Sequence, residues 1–237
     1  MLTNLIQTAT SSIMTFLYPE LCVACGENLA QKGEELCIKC QIRIPKTDFH
    51  TYRENPFFTR IKGRFHLEFA TAYYLFSSSG ATKALIHAIK YEGKYEAAIF
   101  IGENYGKMLI DAVGFHDIDA IVPVPMHPAK QRIRGYNQAE AFGSGLATTM
   151  DKPLINNAII KVRQTVSQTK KNRFGRLENT NEVFQLGKNA KLLENKHILL
   201  VDDVFTTGAT LEASAMPLLE ISGLKLSIAT IAMAGHS

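Results

Sequence analysis

The stretch from His197 to Thr210 constrains this chain more than any other. Ile198, Leu199, Leu200 and Val201 form an unbroken aliphatic run. It ends in two adjacent carboxylates, Asp202 and Asp203, followed by Thr206, Thr207, Gly208, Ala209 and Thr210. A continuous apolar run bounded by turn residues predicts a strand buried on both faces, as in parallel sheets. The pattern turns helical from Ala209 to about Ile221, with Pro217 expected to kink that helix or end it early. A strand feeding a glycine-bearing turn and then a helix is where open α/β sheets bind anions, against the helix N-terminus.

The residue types narrow the anion to a sugar phosphate. Backbone N–H groups of Thr207, Gly208, Ala209 and Thr210 would converge on a phosphate. The hydroxyls of Thr206, Thr207 and Thr210 add donors, and Gly208 permits close backbone approach. Asp202 and Asp203 would repel a phosphate set beside them. They suit a ribose diol or the metal ion of a metal–diphosphate complex. A helix cap alone needs one Thr or Asp, not two acids and three threonines. The chain has no GxxxxGK[ST] loop, which excludes a Walker nucleotide site.

The remaining pattern alternates strands and helices. Strands are expected at Glu68 to Phe76, Asp119 to Pro125, Ile159 to Val162, Val183 to Leu186 and Leu226 to Ala232. Helices are expected at Ala81 to Tyr91, Tyr95 to Ala112 and Asn137 to Met150, with a turn-rich segment from Met126 to Gln138. This order predicts a mostly parallel sheet with helices on both faces and a hairpin inserted around 159–186. Lys83, His87 and Lys90 read as a solvated helix surface. Gln164 to Thr180 carries almost no apolar side chain and reads as a long functional loop.

Four cysteines cluster near the start: Cys22, Cys25, Cys37 and Cys40. Two CxxC knuckles suit a tetrahedral structural Zn2+ site, and four thiolates leave no open position for catalysis. Residues 1–17 place apolar side chains at helical spacing, and 41–66 read as a polar linker. The expected division is therefore 1–66, with helix, zinc module and linker, and 67–237, the α/β domain. No basic, small-residue-terminated leader precedes the knuckles, and no apolar stretch reaches about 18 residues, so no membrane span and a cytoplasmic location are expected.

Charge is uneven. The total is only +4, yet His127 to Arg176 holds ten Lys and Arg residues against two acids, Glu140 and Asp151. Lys130, Arg132 and Arg134, with the loop residues Lys170, Lys171 and Arg173, are candidates for holding a pyrophosphate. Basic loops also bind nucleic acid.

The His197–Thr210 stretch resembles the motif with which type I phosphoribosyltransferases bind phosphoribosyl pyrophosphate (PRPP). The order of further motifs resembles the ComF family of competence-associated proteins. These motifs are Pro123-Val124-Pro125, Arg132 to Gln138, Arg163-Gln164-Thr165 with Gln168, and Arg173 with Asn179 or Asn181 and Phe184. The likeness runs from about residue 20 to the C-terminus, with Tyr136 where many members have Phe. The resemblance implies the type I phosphoribosyltransferase fold plus an N-terminal four-cysteine zinc module. Asp202 and Asp203 would hold ribose and metal, Thr206 to Thr210 the 5′-phosphate, and Mg2+ the pyrophosphate. It also implies a role in natural transformation, with single-stranded DNA and a DNA-uptake translocase as partners. An active transferase, a PRPP-binding protein without turnover and a pure binding module on a retired enzyme fold all remain open, and the intact motif argues against the last.

Overall fold

A computed structural model describes residues 20–162 and 183–235. The helix expected over 1–17 and the loop holding Lys170, Lys171 and Arg173 lie outside the described residues. In chain order the elements are α1 (Ile38–Arg43), α2 (Pro56–Ile61), β1 (Ala70–Phe76), α3 (Ala81–Tyr91), α4 (Tyr95–Leu109), β2 (Ala120–Pro123), α5 (Pro128–Arg134), α6 (Gln138–Met150), β3 (Ile159–Val162), β4 (Val183–Leu186), β5 (His197–Phe205), α7 (Ala209–Leu218) and β6 (Lys225–Ala234). Two 3-10 turns, Phe49–Thr51 and Ala190–Leu193, complete them.

Four strands make one parallel sheet in the order β1-β6-β5-β2, and β3 and β4 form a separate antiparallel pair. The aliphatic run sits on β5, which is hydrogen-bonded on both edges. Side chains alternate across a strand, and β5 shows this in its packing. Leu199 and Val201 join one core with α3, α4 and α6, through residues such as Leu85, Ile89, Ile101 and Phe142. Ile198 and Leu200 join the other with α2 and α7, through Phe57, Phe58, Leu211 and Leu218. Both faces are thus covered, as the unbroken apolar run requires. His197 anchors the start of β5. Its Nε2 lies 2.8 Å from Ser227 Oγ on β6, and its backbone N–H donates to Asp119 Oδ2 at 2.8 Å.

Two expectations are corrected. The segment 41–66 is no linker: Phe49, Phe57, Phe58 and Ile61 are buried in the second core. Polar residues between these aromatics obscure the pattern in the sequence. Asn55 organises the segment from within. Its Oδ1 accepts from Phe57 and Phe58 N–H groups at the start of α2, and its Nδ2 donates to Phe49 and Ala70 carbonyls. The segment 126–138 is not simply turn-rich either, because Pro128–Arg134 is helical. Pro128 opens the helix, where its missing N–H costs nothing, and Gly135 closes it.

The Phe57 ring stacks on Phe205 with centroids 4.1 Å apart, joining this segment to the end of β5. Phe57→Ala removes a fully buried ring and should cost about 3–5 kcal/mol. A shifted urea midpoint at constant m-value checks it; a true linker would leave the midpoint unchanged.

Candidate functional site

The carboxyl end of β5 opens on a cleft of about 260 Å3. Its wall includes Asp202, Asp203, Thr206, Thr210, Lys130, Arg134, His127 and Lys90. Asp202 and Asp203 are successive strand residues and so leave β5 toward opposite sides of the sheet. Asp203 follows Leu199 and Val201 toward the α3 side. There its Oδ1 meets Lys90 Nζ at 3.1 Å, with only 22% of the lysine side chain and 15% of the aspartate side chain exposed. Asp202 Oδ1 accepts from the Asp203 N–H at 2.8 Å, which fixes the pair relative to its own backbone.

Beyond the acids the chain turns at Gly208, whose φ of +83° only glycine adopts without strain. Ala209 then starts α7, so the first-turn N–H groups face the region of Thr206, Thr207 and Thr210. Two arginines from outside the β5–α7 unit brace this turn. Arg60 on α2 donates to the Thr206 carbonyl at 2.9 Å and the Ala234 carbonyl at 2.7 Å, and its guanidinium lies over the Phe205 ring. Arg64 Nη1 lies 3.2 Å from Glu212 on α7. Neither arginine carried a signal in the sequence, because each lies far from the stretch it supports.

The basic candidates separate by helical geometry. Lys130 and Arg134 are four apart on α5 and share a face, and both line the cleft. Arg132, two residues on, points elsewhere and is exposed. His127 is structural: its Nδ1 accepts from the Ala129 N–H at 3.1 Å and caps α5. Asn137 ties α6 to the end of β2 by donating to the Val124 carbonyl and accepting from the Ala139 N–H. Tyr136 donates its hydroxyl to the Ile89 carbonyl on α3, and burial pushes its phenol up to about 12. Lys90, read as surface from sequence, is a third residue that sequence reasoning missed, after Arg60 and Arg64. Its only signal was that it adjoins Ile89 at the edge of the apolar face of α3.

The four cysteines come together. Their sulfurs all lie within 4.8 Å of one another, and Cys25 and Cys37 are 3.6 Å apart. Four thiolates about 2.3 Å from a tetrahedral zinc lie roughly 3.8 Å from each other, so the cluster has metal-binding dimensions. Gly26, at φ +74°, closes the first knuckle by donating to the Cys22 carbonyl. Burial pushes the Cys40 thiol up, an arrangement that a bound cation would relieve. Cys22, Cys37, Cys40 and Ile44 pack into the same core as α3 and α4. Among the described residues, no helix is long and apolar enough to cross a membrane.

Comparison with known proteins follows the same outline. The family model for the phosphoribosyl transferase domain matches residues 137–237. Competence protein F of Haemophilus influenzae is 32% identical over 50% of this chain and 55% of its own length. Competence protein ComFC of Bacillus subtilis is 35% identical over 42% of this chain and 38% of its own. The DNA utilization protein YhgH of Salmonella typhimurium is 29% identical over 57% and 60%. The aligned region therefore spans about half of these relatives.

Arg60 and Arg64 should differ sharply in weight. Arg60→Met removes two bonds from a charged donor to backbone carbonyls and should cost about 1.5–3 kcal/mol. Arg64→Met breaks a half-exposed pair and should cost at most about 1 kcal/mol. Denaturant melts of the two variants, side by side, check the order.

Proposed function

We propose that this chain is a ComF-like, phosphoribosyltransferase-like protein, as its matches to the phosphoribosyl transferase domain and to the competence proteins support, and that it binds PRPP with Mg2+ at the end of β5. We further propose that it acts in DNA uptake on the cytoplasmic side. The observation that carries the reading is one cleft holding Asp202, Asp203, Thr206, Thr210, Lys130 and Arg134. Acids, hydroxyls and cations there match the diol, the 5′-phosphate and the pyrophosphate of one ligand.

Each group has a chemical task. Asp202 and Asp203 accept hydrogen bonds from the ribose hydroxyls, and the same oxygens suit a hard cation. Thr206, Thr207 and Thr210, with the N–H groups of Gly208 and Ala209, hold the 5′-phosphate at the start of α7. Lys130 and Arg134 face the pyrophosphate, and Lys170, Lys171 and Arg173 would join them from the loop. Mg2+ supplies charge neutralisation of the leaving pyrophosphate when bound. Stabilising that leaving group is the main catalytic demand when the C1–oxygen bond breaks. A hollow of about 340 Å3 adjoins the cleft. It shares Pro125, Met126, Asn137 and Lys161 with the cleft, and has Glu140 and Asn156 in its own wall. This is the place for an acceptor.

The four cysteines hold a structural Zn2+. A second reading, PRPP binding without turnover, is favoured by the names of the relatives, which speak of competence and DNA utilization. In that reading the basic surface handles single-stranded DNA beside a translocase partner.

Calorimetry with PRPP and Mg2+ tests the site. Asp202→Asn combined with Asp203→Asn should abolish binding, and unchanged affinity would sink the assignment. Pyrophosphate release on adding nucleobases separates turnover from binding alone. A steep fall of DNA affinity with salt would support phosphate contacts. Purified protein should carry about one zinc per chain, and stripping it with a chelator should lower the melting temperature.

A further inference from the structure

The Lys90–Asp203 pair is unusual in its setting. Lys90 lies in the last turn of α3, where a lysine commonly complements the helix dipole from solvent. Lys83 and His87 on the same helix do stay exposed. The nearest acid in sequence, Glu92, pairs with His87 at 3.0 Å rather than with Lys90. Lys90 instead turns inward, and an ion pair withdrawn from water carries a desolvation cost that packing alone does not require.

The residues on either side of it are both held. Tyr136 bonds the carbonyl of the preceding Ile89, and the Arg134 guanidinium lies 5.1 Å from the ring centre of the following Tyr91. The ammonium itself rides on a flexible four-carbon stem. It lines the same cleft as Lys130 and Arg134. Lys90 is thus a cation with a fixed base and a movable tip, resting on one of the two carboxylates that a metal–diphosphate would need.

Resting on the PRPP reading of this cleft, we infer that Lys90 is a diphosphate-binding residue that Asp203 holds in place while the cleft is empty. When a metal–diphosphate enters, the Asp203 carboxylate passes to the metal or the ribose diol. The ammonium moves to the diphosphate oxygens beside Lys130 and Arg134. The exchange keeps both charges paired at each stage, so neither the empty nor the filled cleft contains a buried lone charge.

Three titrations on wild type, Lys90→Met and Lys90→Arg test this. With saturating Mg2+, Lys90→Met should bind PRPP about tenfold or more weakly, the loss of one charge-assisted contact. It should bind ribose 5-phosphate, which lacks the diphosphate, at least as tightly as wild type does, because Asp203 is freed for the diol. Lys90→Arg should recover most of the PRPP affinity. Mn2+ alone should bind Lys90→Met more tightly than wild type, because a competing cation has gone. Unchanged PRPP affinity in Lys90→Met overturns the inference, as does an equal loss for PRPP and ribose 5-phosphate, which marks a purely structural role. If wild type binds neither ligand, the PRPP reading itself falls. The Mn2+ titration then decides whether Lys90 guards the acid: no change in Mn2+ affinity overturns the inference.

Discussion

The structure depends on β5 being buried on both faces. A strand hydrogen-bonded on both edges and covered on both sides has no route to water except at its ends. Polar chemistry can therefore leave β5 only where the aliphatic run stops, and it stops at Asp202. Strand alternation then sends the two acids to different sides of the sheet. Asp203 finds Lys90 on the α3 side, while Asp202 opens toward the turn that carries Thr206 and Thr210. The pitch of the backbone alone thus turns two adjacent acids in two directions within one cleft.

The turn after β5 is held by groups from elsewhere in the chain. A glycine at +83° and a helix start give the loop its shape, but a loop of threonines is floppy without support. Arg60 ties its first residue, Thr206, to the end of β6, and the Phe57–Phe205 stack fixes the strand just before it. Both come from the segment before β1. That segment is a brace for the turn after β5 as well as a cover for the second face of the sheet.

What the sequence revealed and what it hid have a common cause. Periodicity and composition are local, so elements with a strong local pattern were legible. Helix α3 has the expected bounds, Ala81 to Tyr91, and β3 and β4 pair antiparallel in the expected hairpin. β5 runs further than the aliphatic run, to Phe205, because ladder bonds to β6 continue past the acids. The short helix α5 was hidden by its prolines and cations, which read as turn. The buried aromatics of 49–61 were hidden by the polar residues between them. Within the site, the acids and threonines were legible because they adjoin one another. Lys90, Arg60 and Arg64 were not, because each reaches the site from a distant element. Spacing on a helix also sorted the basic candidates, keeping Lys130 and Arg134 together and turning Arg132 away, once α5 was known to be helical.

The division of labour that results cuts across the domain match. The matched region, 137–237, holds the acids and the threonine-bearing turn after β5. The described cations that meet them come mostly from before it: Lys90 on α3, Lys130 and Arg134 on α5, and Arg60 and Arg64 in and after α2. The cysteine cluster packs into the same core as α3, through Cys22, Cys37, Cys40 and Ile44. Ile89, the neighbour of Lys90 on that helix, is buried in the same core. The cysteine cluster and the helix that presents Lys90 are thus parts of one packed core.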